Sequence, residues 1–433
     1  MLCSLGAEAA ELNLAAETGV GFDSNTANRP SGTPLGDIPA ATVRLGARGR
    51  LTGEFESGEY ELSYSPEYFY NSSKQVADRW NQQASVIGTY RLSPRTNVSI
   101  RNYFLFFERL VLAPLPFDSF DPDAPPPPVD DPDLEEVSRR TIRNVLEIGG
   151  SHMIRPRWSG YAGANYTIYR YTSEFDSDSD AFSGRLGTNY QLGRFLEIGM
   201  GMGASYRSFE GRQAQGLVTV VPPAVPVPTP DVPRCFGEAS PRSRTLSYSA
   251  FATLSYQFDT TTRLQVQAGP ARIESESYFC PQNTPSFLFP QGETTGASLA
   301  FRKNKTNQTT WFAQGELSKT WRRVQARLRF GRQQGLGIGG NAAITDSVVA
   351  GLSWNWSRLW GLGLDGNWFR RDPFEGSGSS SWTASASLNR HFLQHLTGRI
   401  SASYRSEAYS SPGAYQVWQV SLILRYALDP IRF

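Results

Sequence analysis

The sequence predicts an all-β chain, folded as a single transmembrane antiparallel up-and-down β-barrel of about eighteen strands, with roughly sixteen to twenty as the range. Three observations predict it. Oily and polar residues alternate along stretch after stretch, and a period of two makes an extended strand with two unlike faces. Short and long connections take turns between those stretches, as in a meander with tight turns at one end and loops at the other. Aromatic residues flank the short turns, where a membrane interface would hold them.

Composition agrees and excludes rivals. Lys and Arg number 42 against 40 Asp and Glu, and a net charge of +2 gives no case for nucleic acid as a partner. Mean hydropathy is −0.39, and no apolar run approaches the ~18 residues that a membrane helix needs. Membrane strands survive that test, because half of each one is polar. A length of 433 residues would ordinarily favour two or three domains. The unbroken alternation argues instead for one barrel over 11–428, between a segment 1–10 and a tail 429–433.

The chain opens MLCSLGAEAA, in which Ala7-Glu8-Ala9 has the form of a signal-peptide cleavage site. Residues 1–10 are therefore expected to be a signal-peptide remnant or an irregular tail. A first strand is expected over about 12–21. Residues 43–55 oppose Val43, Leu45, Ala47, Leu51 and Phe55 to Arg44, Arg48, Arg50 and Glu54. The same opposition recurs over 196–207, 246–258 and 324–330. In the final stretch Trp418, Val420, Leu422, Leu424, Tyr426 and Leu428 share one face, with Gln419, Ser421 and Arg425 on the other. Short turns appear as ESGE (56–59), LSPRT (92–96), IRPR (154–157), LGRF (192–195), DTTT (259–262), SKTWR (318–322), WSRLW (356–360) and FLQHL (392–396). One hairpin per turn, with the first and last strands added, sets the strand count. Tyr90, Trp158, Trp321, Trp356 and Trp360 stand beside these turns.

The turns are expected at the periplasmic end and the long Pro-rich loops outside the cell. The longest loops are 113–137, a Pro-rich stretch within 210–244, and 278–307. The last is the least defined, because ETTGASLAFRK could also be strand sequence. The acidic run Asp118–Glu136 is expected to be a solvated outer segment. Cys235 and Cys280 both fall in loop sequence, which leaves room for a loop–loop disulfide in an oxidising compartment. A propeller would repeat a motif every ~40–50 residues. Hairpins here recur at that spacing, but no motif does.

Catalytic and cofactor signals are missing. The three histidines, His152, His391 and His395, all lie at or beside short turns. A Ser–His–acid set needs mutual hydrogen-bond reach, which their placement gives no reason to expect. His391 and His395 have a metal-ligating spacing only on a helix. No enzyme activity, cofactor or metal is expected. What remains is the polar face. The register points Arg44, Arg48, Arg50, Arg91, Arg101, Arg143, Arg185, Arg207, Arg263, Arg327, Arg329, Arg399, Arg405 and Arg425 inward, with Glu54, Glu61, Glu67, Glu147, Glu197 and Asp365. A basic lumen would lower the cost of passing an anion. The competing reading is that these arginines pair with acids across strands merely to satisfy buried charge. Eighteen strands enclose more space than side chains fill, so the long loops are the expected constriction.

GVGFDSNT (19–26), YELSYSPEYFYN (60–71) and YRLSPRT (90–96) resemble the β-barrel porins found with bacterial exopolysaccharide export systems. The resemblance covers the first quarter of the chain. It implies a Gram-negative outer-membrane barrel giving a secreted polysaccharide its exit, with no catalytic residues to carry over. The expected partners are outer-membrane lipid and lipopolysaccharide, the barrel-assembly machinery, and an anionic solute or polysaccharide with periplasmic export components. Phe433 resembles the C-terminal aromatic that the assembly machinery recognises. Asp429 and Pro430 interrupt that signal, and proline cannot donate to a ladder, so the last strand is expected to end near Leu428. A channel for solutes or exported polysaccharide is thus the leading expectation. The alternative is a non-conducting scaffold that displays its long loops for adhesion or complex assembly.

Overall fold

A strand whose apolar face meets lipid needs a partner on both sides, because no water is present to satisfy an open ladder edge. In the computed structural model the ladder closes on itself. The structure describes residues 9–24, 39–73, 78–107, 141–171, 178–209, 243–279, 302–336, 342–373, 378–409 and 414–433. They form β1 (Ala9–Asp23), β2 (Ala40–Phe55), β3 (Gly58–Asn71), β4 (Arg79–Ser93), β5 (Thr96–Phe107) and β6 (Thr141–Arg155). Next come β7 (Trp158–Tyr171), β8 (Ser179–Gln191), β9 (Leu196–Phe209), β10 (Ser243–Gln257), β11 (Thr262–Phe279) and β12 (Arg302–Thr320). The chain ends with β13 (Val324–Leu336), β14 (Ala342–Trp354), β15 (Trp360–Pro373), β16 (Ser379–His391), β17 (Leu396–Tyr409), β18 (Ala414–Ala427) and a two-residue β19 (Ile431–Arg432).

Each strand up to β18 pairs antiparallel with the next, and β1 pairs with both β2 and β18. Since β19 continues the pairing of β18 with β1, the barrel is a closed ring of eighteen staves. All the tight turns, and both described chain ends, lie at one rim. Every long connection lies at the other.

Two expected boundaries are corrected. The last five residues are not a free tail. Ala15 faces Ala427 and Leu12 faces Ile431, so three residues of the closing stave, 428–430, stand opposite two of β1. That is a bulge, one of the few places where a strand tolerates proline. Beyond it the ladder resumes, and the Phe433 N–H donates to the Ala10 carbonyl at 2.9 Å. At the other end β1 begins at Ala9, so Ala9 and Ala10 belong to the barrel. In the stretch 278–307, β11 runs to Phe279 and β12 starts at Arg302. Cys235, Cys280 and the acidic run 118–136 lie outside the described residues.

The two faces of the wall follow from alternation. Val20, Leu45, Leu186, Met200, Ile400 and Leu422 are among the exposed apolar side chains of the outer face. Two aromatic girdles bound this band. Near the turns stand Tyr90, Trp158, Tyr190, Trp321, Trp354 and Tyr426, and Trp356 stacks on Trp360 at 6.0 Å. Toward the long connections stand Tyr70, Trp80, Tyr166, Tyr206, Tyr248, Trp311 and Trp368, with Tyr404 between Trp382 (4.7 Å) and Trp418 (4.2 Å). On the inner face Phe251 lies against Gly201, where a Cβ would fall 2.6 Å from the ring, and meets Phe312 edge-on at 6.2 Å.

Candidate functional site

Because side chains change face at every residue, register alone decides which charges enter the lumen. Strand parity places every arginine predicted above on the inner face: Arg44, Arg48 and Arg50 on β2, Arg91 on β4, Arg101 on β5, Arg143 on β6 and Arg185 on β8. Arg207 follows on β9, Arg263 on β11, Arg327 and Arg329 on β13, Arg399 and Arg405 on β17, and Arg425 on β18. Glu54, Glu61, Glu67, Glu147, Glu197 and Asp365 share that face. Their settings differ. Glu54, Arg91 and Arg263 stand exposed near the turn rim, Arg185 is exposed midway up β8, and Arg143 and Arg405 are buried.

The arginines gather into clusters. Gly46 is flanked in the ladder by Glu17 on one side and Glu67 on the other. With no side chain between them, Arg44 and Arg48 can reach across. Glu17 lies 3.1 Å from Arg44, 3.7 Å from Arg48 and 3.9 Å from Arg425. Arg44 also bonds Glu67. The Phe69 ring carries the Arg44 and Arg79 guanidinium groups at 5.8 and 5.2 Å. A second cluster stacks Arg143 and Arg207 on Tyr169 at 5.3 and 5.0 Å, with Arg207 also 4.9 Å from the Phe209 ring. Stacking holds a guanidinium plane in place while its edge stays available for hydrogen bonds. Elsewhere Glu316 joins Arg327 (2.7 Å) and Arg329 (3.1 Å), and Arg405 bonds Glu407 at 2.7 Å. Between clusters the wall is hydroxylic. Ser63 meets Ser85, Ser205 meets Ser247, and Ser401 meets Ser421, each pair at 2.7 Å.

Beside β1–β4 and β15–β18 the lumen holds a cavity of about 930 Å³. Arg44, Arg48, Arg79, Arg399 and Arg425 line it, and the turns at its floor add Arg322, Arg323 and Arg358. The carboxylates on its wall are Glu17, Asp23 and Glu67. Ser401, Ser403, Ser421 and Gln419 contribute neutral polar groups. Such a chamber concentrates anions and offers them several fixed donors along the wall.

Glu17, Asp23, Glu316, Glu407 and Arg79 were not among the predicted lumen residues. For Glu17 the signal was present, since Thr18, Val20 and Phe22 mark the outward parity of β1. Glu407 and Arg79 sit at strand ends, where the oily partner face fades. The histidines stay at the turn rim. His152 Nδ1 lies 2.9 Å from Thr96 Oγ1, His391 Nδ1 lies 3.0 Å from Thr397 Oγ1, and His395 approaches Asp429 at 3.5 Å. Among the described residues no cluster of His, Cys, Asp and Glu could hold a metal ion.

Closure of the ladder, an apolar outer band and a girdle at each edge together define the setting. The chain is a Gram-negative outer-membrane β-barrel. No protein-family model and no curated protein matches it. Among solved structures it aligns with the copper transporter OprC at 9% identity and a TM-score of 0.45, covering 93% of this chain and 62% of that one. The barrel thus spans less than two thirds of that transporter's length. It also aligns with Acinetobacter baumannii OccAB4 (10% identity, TM-score 0.44, 99% of this chain and 100% of that one). A third alignment is with the outer membrane protein opdK from Pseudomonas aeruginosa (13%, 0.43, 98% and 99%). The fold assignment rests on the barrel's own ladder.

Proposed function

We propose that the barrel is a passive channel that passes solutes through a lumen favouring anions, with an exported acidic polysaccharide as its cargo. The observation that carries this reading is the 930 Å³ lumen cavity, where arginines from five staves and three turns face three carboxylates. A polyanionic chain would exchange one guanidinium for the next along the wall. The hydroxyl pairs between clusters would accept its sugar hydroxyls without holding them. The resemblance of residues 19–26, 60–71 and 90–96 to porins of exopolysaccharide export supports the choice of cargo. On this reading periplasmic export components would dock at the turn rim, and Phe433, paired to β1 and facing outward, would serve the barrel-assembly machinery.

Single-channel conductance of the refolded protein in a planar bilayer, with the reversal potential across a salt gradient, tests the channel itself. A steady current with an anion-preferring reversal potential is expected. Silence from protein shown to be folded and inserted would overturn the channel and favour a scaffold that displays its loops.

A further inference from the structure

We propose that the outer face of β10–β12, above the upper aromatic girdle, is a binding site for a phosphorylated glycolipid of the outer leaflet, the lipid A part of lipopolysaccharide. Arg244, Glu276, Lys303 and Lys305 all have the outward parity of their strands, shared with Tyr248 and Trp311 of the girdle. Arg244 lies four residues beyond Tyr248, about 13 Å along the strand, and Lys305 lies six beyond Trp311. That is the height of lipid headgroups.

Three cations converge there on one carboxylate. Glu276 lies 2.7 Å from Arg244 Nε, 2.9 Å from Lys303 Nζ and 3.3 Å from Lys305 Nζ. The carboxylate is largely covered, at 17% side-chain exposure, whereas Lys305 is 69% exposed. Glu276 therefore gathers the cations into a cradle whose charged heads face the medium. Other outward charges at this height, among the described residues, come as simple pairs or with acids in excess. Arg170 has Asp178 and Asp180, Arg332 has Asp346, and Arg370 has Asp372. A phosphate monoester fits the cradle because its oxygens accept several charge-assisted bonds at once. Tyr248, Leu246 and Trp311 beneath supply the apolar surface for its acyl chains.

The test compares lipid retained by the barrel extracted from outer membranes in mild detergent, measured by mass spectrometry. The triple variant Arg244→Gln/Lys303→Gln/Lys305→Gln is set beside Arg170→Gln and Glu276→Gln. Folding of each is checked by its unheated gel mobility. A basic side chain at an anionic lipid surface is worth roughly fivefold in binding, so the triple variant should lose roughly 100-fold in affinity for diphosphorylated lipid A. Arg170→Gln should retain it, and Glu276→Gln should bind at least as well as the unaltered barrel. Equal retention by the folded triple variant would overturn the site. So would equal binding of dephosphorylated lipid A, or equal binding of phosphatidylglycerol, which would make the patch a general anionic-lipid surface.

Discussion

Glu17 shows how much one side chain organises here. Its carboxylate is 9% exposed and has three arginines within 4 Å, so it orients guanidinium groups that would otherwise repel one another, while leaving the chamber cationic. Arginine positions were legible in the sequence because each sits between unmistakably oily neighbours. The acids that hold them were less so, because Glu17 shares its inward face with Gly19 and Gly21 and stands in a less contrasted strand. At the turn rim a single carboxylate does a simpler task. Asp259 accepts from the Thr261 N–H at 2.7 Å and from the Thr261 and Thr262 hydroxyls at 2.6 and 3.0 Å. These bonds, the Thr261 hydroxyl's first, pull its pKa from 3.8 down to about 2. A carboxyl depressed in the folded state stabilises the turn fully above its unfolded pKa, and that contribution fades as pH falls through the folded value. The Thr261 amide resonance should therefore titrate with a midpoint near 2, and Asp259→Asn should abolish the step. A midpoint at the ordinary carboxylate value would show that these bonds do not persist in solution.

At the scale of strands, glycine and aromatic positions are coupled across the ladder. Gly201 on β9 faces Phe251 on β10, and the ring occupies the space that a Cβ would need. Gly201→Val should cost about 1–3 kcal/mol through overpacking, read as a lower melting temperature of the heat-modifiable form. Adding Phe251→Ala should recover part of the loss, because the two changes act on one contact and are not additive. Full additivity would place the strain elsewhere. Strand identity was plain in the sequence wherever both faces were marked. Strand ends were not, as β12 illustrates. Its opening residues, RKNKTNQTT (302–310), carry no oily face because they stand above the apolar band, so alternation has nothing to display. Pro430 misled for a different reason. It does remove a ladder donor, but a bulge absorbs the gap and β19 resumes the seam with β1.

For the whole molecule, the stave count was legible because every tight turn announces a hairpin. The chamber was not, since it arises only when β1–β4 and β15–β18, distant in sequence, are brought together around the closing seam. Its cationic character is a sum over many side chains acting at a distance, and that has a consequence for salt. Fixed charges act over a Debye length of about 10 Å at 0.1 M and about 3 Å at 1 M. At the lower concentration ions in the chamber feel several arginines at once, and at the higher one only those they touch. The anion-to-cation permeability ratio should therefore be largest at 0.1 M and shrink toward the ratio of bulk mobilities at 1 M. Arg185 is an exposed reporter on the facing wall. Arg185→Glu changes two charges, worth ~1 kcal/mol on an ion about 8 Å away through water, or roughly fivefold in the ratio at 0.1 M. That effect should largely vanish at 1 M. Should the ratio stay constant across this range, selectivity would come from direct contact with the stacked guanidinium groups on Tyr169 and Phe69, and the field of the lumen would contribute nothing.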